Sequence, residues 1–195
     1  MADKELKNIF LSASIPVAER HPKYFETCDL TAIRDAVVAL TSIVIKDYRL
    51  IWGGHPAITP IISRVLKTFG CNVSDHMWLY QSKWFDNEFP EENADIPMII
   101  LTAKKGDQYE SLKEMRTQMI GENKYAAAFF IGGMEGVEEE YYLLKSIHPD
   151  CPIFPIASTG AAARIIFDKQ DGHYDVELLD NLAYMSLFRE IMKKI

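Results

Sequence analysis

The sequence predicts an α/β fold, a mainly parallel sheet of about six strands covered by helices on both faces. Two observations carry that expectation. Short, nearly continuous apolar runs alternate with amphipathic helical stretches along the chain, and a strand that is apolar on both faces must be buried on both. Two of those runs also end in Gly-Gly and pass straight into a helical pattern: Leu50-Ile51-Trp52-Gly53-Gly54-His55-Pro56 and Phe129-Phe130-Ile131-Gly132-Gly133-Met134-Glu135-Gly136. Turns of this kind form phosphate-sized pockets at the carboxyl ends of parallel strands.

The elements follow in order. Residues 8–14 form the first strand; a polar loop through His21 and Pro22 leads to a helix over 30–45, which Asp29 is placed to cap. A strand over 49–52 feeds a helix over 57–68, with Pro56 in its first turn, where a missing N–H costs little. The third strand is 77–81, and the acidic, aromatic stretch 82–95 is a loop or lid whose Trp84, Phe85 and Phe89 either close over a base by stacking or anchor a long loop. Strand 98–101 precedes helix 109–119, and strand 126–131 leads into a helix carrying Glu138-Glu139-Glu140-Tyr141-Tyr142. Residues 153–156 are the sixth strand, 161–167 a helix, and 176–194 one amphipathic terminal helix. No repeat, linker or composition shift divides residues 1–195, so a single domain is expected: a three-layer Rossmann-like sandwich.

Composition narrows the function classes. At 48% hydrophobic and 25% charged, the 195 residues suit one folded domain with a sizeable core. A net charge of −7 argues against general nucleic-acid binding, which needs clustered Lys and Arg. No stretch reads as a signal peptide or membrane span, so a cytoplasmic protein without a membrane partner is expected. Cys28, Cys71 and Cys151 are widely spaced without a Cys-x-x-Cys pair, which predicts reduced thiols and neither a disulfide nor a metal site; no cofactor is expected.

Four loops converge on one edge of the predicted sheet. Ser12-Ala13-Ser14 closes the first strand. Gly53 and Gly54 permit close approach of a ligand, beside His55. Gly132-Gly133-Met134-Glu135-Gly136 makes a cradle for phosphate at a helix start, next to carboxylates suited to ribose hydroxyls or to general-base work. Positions 135 and 139 share one helical face, as do 136 and 140, so at most two of the four acids face a pocket together. Ser158-Thr159-Gly160 is the fourth loop, placed to cap a helix or bind phosphate.

With these motifs in order, residues 8–166 resemble the SLOG superfamily of Rossmann-like nucleotide-binding domains, which unites the Lonely Guy (LOG) phosphoribohydrolases, the Smf/DprA domain and sensor domains of bacterial conflict systems. Gly-Gly-His-Pro and Gly-Gly-Met-Glu-Gly resemble the sensor-type branch more than the enzymes. The resemblance implies a nucleotide or ADP-ribose-like ligand over the carboxyl edge of the sheet. The LOG enzymes carry Pro-Gly-Gly-x-Gly-Thr-x-x-Glu; here Ile131 replaces the Pro, Glu135 precedes Gly136, and Val137 stands where Thr would be. Their catalytic Glu then corresponds to Glu139 or, allowing for the insertion, Glu140, and their arginine to Arg116 or Arg164.

Two functions are expected from this reading. One is a sensor that binds a nucleotide-derived signal, with antiviral defence as its setting, and passes the event to a separately encoded effector or a second copy. The alternative is a LOG-like hydrolase, or a nucleoside deoxyribosyltransferase-like enzyme, acting on an N-glycosidic bond through Glu139 or Glu140. The stripe Leu178, Leu182, Met185, Phe188 or Arg189, Met192 and Ile195 needs burial against the sheet or another subunit. With Phe129, Tyr141 and Tyr142 as aromatic surface, and with the dimers the resemblance implies, a homodimer or higher oligomer is expected.

Overall fold

The computed structural model describes residues 6–19, 22–69, 76–169 and 174–195. Among them six strands, β1 (Lys7–Ser14), β2 (Tyr48–Gly53), β3 (Met77–Ser82), β4 (Met98–Thr102), β5 (Tyr125–Gly132) and β6 (Ile153–Ile156), make one sheet in the order β4-β3-β2-β1-β5-β6. Every neighbouring pair is parallel. The chain winds outward from β1 to β4 and then returns to the other side of β1 with β5. The strand order therefore reverses between β1 and β5, and a ligand crevice forms beyond the carboxyl ends of strands at such a switch point.

The expected three-layer α/β sandwich is the fold found. Along the strands, successive side chains enter opposite layers. Ile9, Leu11, Leu50, Trp52, Leu79, Phe129 and Ile131 pack with one set of helices, α2 (Leu30–Val44), α3 (Thr59–Phe69) and α8 (Tyr184–Met192). Phe10, Ile51, Tyr80, Ala128 and Phe130 face α1 (Pro22–Phe25), α4 (Gln108–Gly121), α5 (Glu135–Ile147) and α6 (Ala161–Asp168). Asp29 caps α2 as anticipated, its carboxylate accepting the Ala32 N–H at 2.9 Å. Asp107 does the same for α4 through Glu110 N–H at 2.9 Å.

Several expectations are corrected. The terminal segment is two helices, α7 (Glu177–Asp180) and α8, because Asn181 turns the chain: its backbone is extended and its side-chain oxygen accepts the Ala183 N–H at 2.8 Å. Leu178, Phe188 and Met192 are consequently buried, whereas Leu182 and Met185 are exposed. Helix α3 begins at Thr59 rather than at 57, since Ile58 and Thr59 N–H both bond back to the His55 carbonyl and a separate turn carries Pro56. The loop after β3 contains two 3₁₀ turns, Lys83–Phe85 and Glu91–Asp95. Phe129 and Tyr141 are core residues, and of the three aromatics assigned to the surface only Tyr142 is exposed.

Cys28 and Cys151 are free thiols, each pushed up to about 11 chiefly by burial, which leaves them protonated and unreactive at neutral pH. Cys71 and His21 lie outside the described residues. Among the described residues no helix is long and apolar enough to cross a membrane.

Candidate functional site

A cleft of about 650 Å³ opens at the carboxyl edge of the sheet, beside the switch point. Three of the four anticipated loops reach it. Ala13 and Ser14 from the end of β1, Gly53, Gly54 and His55 after β2, and Met134, Glu135 and Gly136 at the start of α5 all line its wall. Helix α4 adds Gln108, Leu112, Met115 and Arg116 to the lining. The segment after β3 contributes Phe85, Glu88 and Pro90 to the rim. Trp84 instead lies beneath the Lys104 ammonium, 4.4 Å from its ring centre. A second hollow, about 480 Å³ between the β5 and β6 entry loops, sits at the amino edge of the sheet, away from all these residues.

The fourth loop does something else. Thr159 Oγ1 accepts the Gly132 N–H at 2.8 Å and donates to the Ile156 carbonyl at 2.6 Å, so it locks the end of β5 to the end of β6. The Ser158 hydroxyl is 3.0 Å from that of Tyr184, and a Cβ at Gly160 would overlap the Thr27 carbonyl. Ser158, Thr159 and Gly160 thus pack against α8 and the entry to α2, outside the cleft wall.

Gly132 and Gly133 are likewise off the wall. Both take positive φ, +57° and +93°, and a Cβ would overlap Ile33 and Val137 respectively. They are glycines because backbone and packing require it. Gly133 N–H bonds Ser14 carbonyl at 2.8 Å, which ties this turn to β1. A first helical turn points N–H groups toward its start, where an anion can be held, and in α5 that turn begins at Glu135.

The charged centre of the cleft is Arg116 with Glu140. Glu140 is 9% exposed; its Oε2 accepts the Ser12 hydroxyl at 2.5 Å and its Oε1 lies 3.4 Å from Arg116 Nε. Burial raises its affinity for a proton above that of an ordinary carboxylate, against the opposing pull of Arg116 and Ser12. Arg116 Nη1 holds Glu139 at 2.5 Å on the more exposed side of the helix. Of the two candidate glutamates, then, Glu140 faces the cleft and Glu139 steadies the guanidinium from outside. Ser12, although not itself on the wall, reaches it through Glu140. Glu138 turns away to Tyr24 and Lys169, and Arg164 pairs with Asp168 on the surface of α6. Two of the four acids therefore line the wall, but they are Glu135 and Glu140, not the face-sharing pair 135 and 139.

His55 lines the cleft with its ring Nδ1 accepting the Ala57 N–H at 3.2 Å, which makes it part of the turn's own structure. Among the described residues, Glu88, Glu135 and Glu140 share the wall with one guanidinium, that of Arg116, so the described wall carries more negative charge than positive. Among the described residues no group of His, Cys, Asp and Glu is arranged to hold a metal ion.

The sequence reading missed Gln81. It lies at the end of β3, is 6% exposed, lines the cleft, and its Oε1 is buried without a hydrogen-bond partner. The available signal was a polar residue closing an otherwise apolar strand, Met77-Trp78-Leu79-Tyr80-Gln81.

Comparison with known proteins agrees with this architecture. A family model described as the SLOG cluster3 family matches residues 23–192. No curated protein matches the chain.

Proposed function

Since this chain belongs to the SLOG cluster3 family, we propose that its cleft is the receptor site for a nucleotide-derived small molecule, which is bound and not consumed. The observation that carries this reading is the Arg116–Glu140–Ser12 cluster at the switch-point cleft, with both carboxylate oxygens of Glu140 already engaged inside the protein. A phosphate takes the first-turn N–H groups of α5 together with Arg116, and ribose hydroxyls donate to the carboxylates of the wall. The acidic wall disfavours several phosphates and selects a ligand richer in hydroxyls than in charge. The protein acts in the cytoplasm as a sensor, and the binding event passes to a second copy or to a separately encoded effector, in the manner of the conflict-system sensors its motifs resemble.

One observation favours a second reading. Burial raises the proton affinity of Glu140 above that of an ordinary carboxylate, the direction that the acid or base of an N-glycosidic hydrolase would need. The two separate in one experiment: thermal shift with AMP, NAD, ADP-ribose and cyclic ADP-ribose, each mixture then chromatographed. Stabilisation with the ligand recovered intact is expected, because binding to the native state raises the melting temperature by mass action. Release of free base that disappears in Glu140→Gln establishes the hydrolase instead.

A further inference from the structure

We infer that Gln81 is the base-reading residue of the cleft, accepting an N–H of the ligand's nucleobase; this rests on the nucleotide-receptor reading above. Two independent observations meet at this side chain. The first is an unsatisfied acceptor: Gln81 is nine-tenths buried, lines the cleft, and its Oε1 has no donor. A buried acceptor left unpaired opposes folding, and native proteins rarely keep one unless something outside the chain satisfies it.

The second is the space made for it. A Cβ at Gly54 would overlap Gln81 Oε1 and stand 2.5 Å from its Cδ, so the carboxamide lies flat where any other residue at 54 would put its side chain. Gly54 N–H donates to the Tyr80 carbonyl at 2.8 Å, which fixes that glycine against the residue preceding Gln81. The glycine of the first turn therefore accommodates the amide rather than a phosphate.

The chemistry of a carboxamide suits a base edge. It offers one acceptor and one donor side by side, the pattern that pairs with adenine through its exocyclic amine and neighbouring ring nitrogen. The last torsion of a glutamine is broad, so a half-turn about it exchanges Oε1 and Nε2 without moving the strand, and either atom can be presented to a base. Gln81 on β3 and the Arg116–Glu140 pair of α4 and α5 line the same cleft, so the base falls to Gln81 and the ribose and phosphate to the charged pair.

The test compares AMP with purine riboside 5′-monophosphate, which lacks the exocyclic amine, by calorimetry on wild type and Gln81→Leu. Wild type is expected to prefer AMP by about tenfold or more, and the variant to bind both within about twofold because AMP alone weakens. The melting temperature of the unliganded variant should hold or rise, since an orphaned acceptor has been replaced by a hydrocarbon. Gln81→Met, closer in shape, serves the same purpose if the leucine variant does not fold. A preference for AMP that survives in the variant overturns the assignment, and so does an equal weakening of both ligands with a lower unliganded melting temperature, which marks a structural role. A wild-type protein that is stabilised by no nucleotide overturns the receptor reading itself, and this inference with it.

Discussion

The two Gly-Gly turns look alike in sequence and are built on opposite principles. After β2, Gly53 and Gly54 have ordinary backbone torsions and stand on the cleft wall; their missing side chains leave room for Met115 and Gln81. After β5, Gly132 and Gly133 adopt positive φ and sit behind the wall, with Ile33 and Val137 filling the space where side chains would go. The first doublet shapes a cavity and the second bends a chain. Only Gly136, where a Cβ would come within 2.5 Å of Arg116, repeats the wall role in the second turn. A glycine pair at a strand end therefore announces a tight βα turn, and which atoms profit from the missing Cβ is decided by neighbours distant in sequence.

The largest expected effect separates the two doublets directly. Gly133→Ala forces an L residue to φ +93° and drives its Cβ into a β-branched side chain, so a loss of about 3 kcal/mol is expected in urea unfolding. Gly53→Ala presses on the flexible end of Met115, at 3.1 Å, and makes ordinary contact with Met119 Cε and Glu140 Oε1 at 3.6 and 3.8 Å, without backbone strain, and should cost about 1 kcal/mol or less. Equal losses would mean that both turns are held by backbone geometry.

Next in size is Arg116→Met, which tests whether the second turn carries the electrostatics of the cleft. Removing the guanidinium leaves the Glu140 carboxylate buried with Ser12 alone, at an expected cost of about 2–3 kcal/mol near pH 8. The sign of the pH dependence follows from the upward displacement of Glu140. A carboxyl that holds its proton more tightly when folded loses stability as pH rises above its unfolded value, and the loss is complete once the folded group has ionised. Removing Arg116 widens that gap. The variant should therefore lie closest to wild-type stability at acid pH and fall away from it as pH rises. A deficit independent of pH would show that Arg116 acts by packing.

What could be read from the sequence divides along the same line. Six strands, their alternation with helices and the Asp29 cap are local or periodic signals, and the structure carries all of them. The break at Asn181 was hidden because the apolar spacing continues through it, while one side-chain hydrogen bond turns the chain. In the cleft, helical spacing limited how many acids can face inward, but choosing Glu140 over Glu139 required the position of Arg116 on a different helix. Gln81 escaped because nothing near it in sequence shows that Gly54 leaves its place open. The Ser158–Gly160 loop shares the carboxyl edge yet serves β5, β6 and α8, since residues at one sheet edge can lie on either side of a strand.

Thr159→Val probes that loop's hold on the second turn. The hydroxyl is fully buried and joins Gly132 N–H to the Ile156 carbonyl. Its loss leaves a buried N–H and a buried carbonyl each short of one partner, so about 2 kcal/mol is expected. If the loop lies outside the binding wall, nucleotide-induced thermal shifts should fall no further than the lower baseline stability explains. A selective loss of ligand response at unchanged stability would put Thr159 back among the contacts.

The smallest expected change is His55→Ala in the first turn. The bonds that start α3 run from Ile58 and Thr59 N–H to the backbone carbonyl of residue 55, and Gly54 N–H to the Tyr80 carbonyl holds the strand end. None needs the imidazole. The side chain gives Ala57 N–H a partly exposed acceptor, Nδ1 at 3.2 Å, and about 0.5 kcal/mol is the expected cost of losing that bond. Because the ring lines the cleft, the ligand-induced thermal shift should drop by more than the stability does. A stability loss above about 2 kcal/mol would instead place the turn under the control of its side chains, and the contrast between a turn that shapes a wall and one that bends a chain would no longer stand.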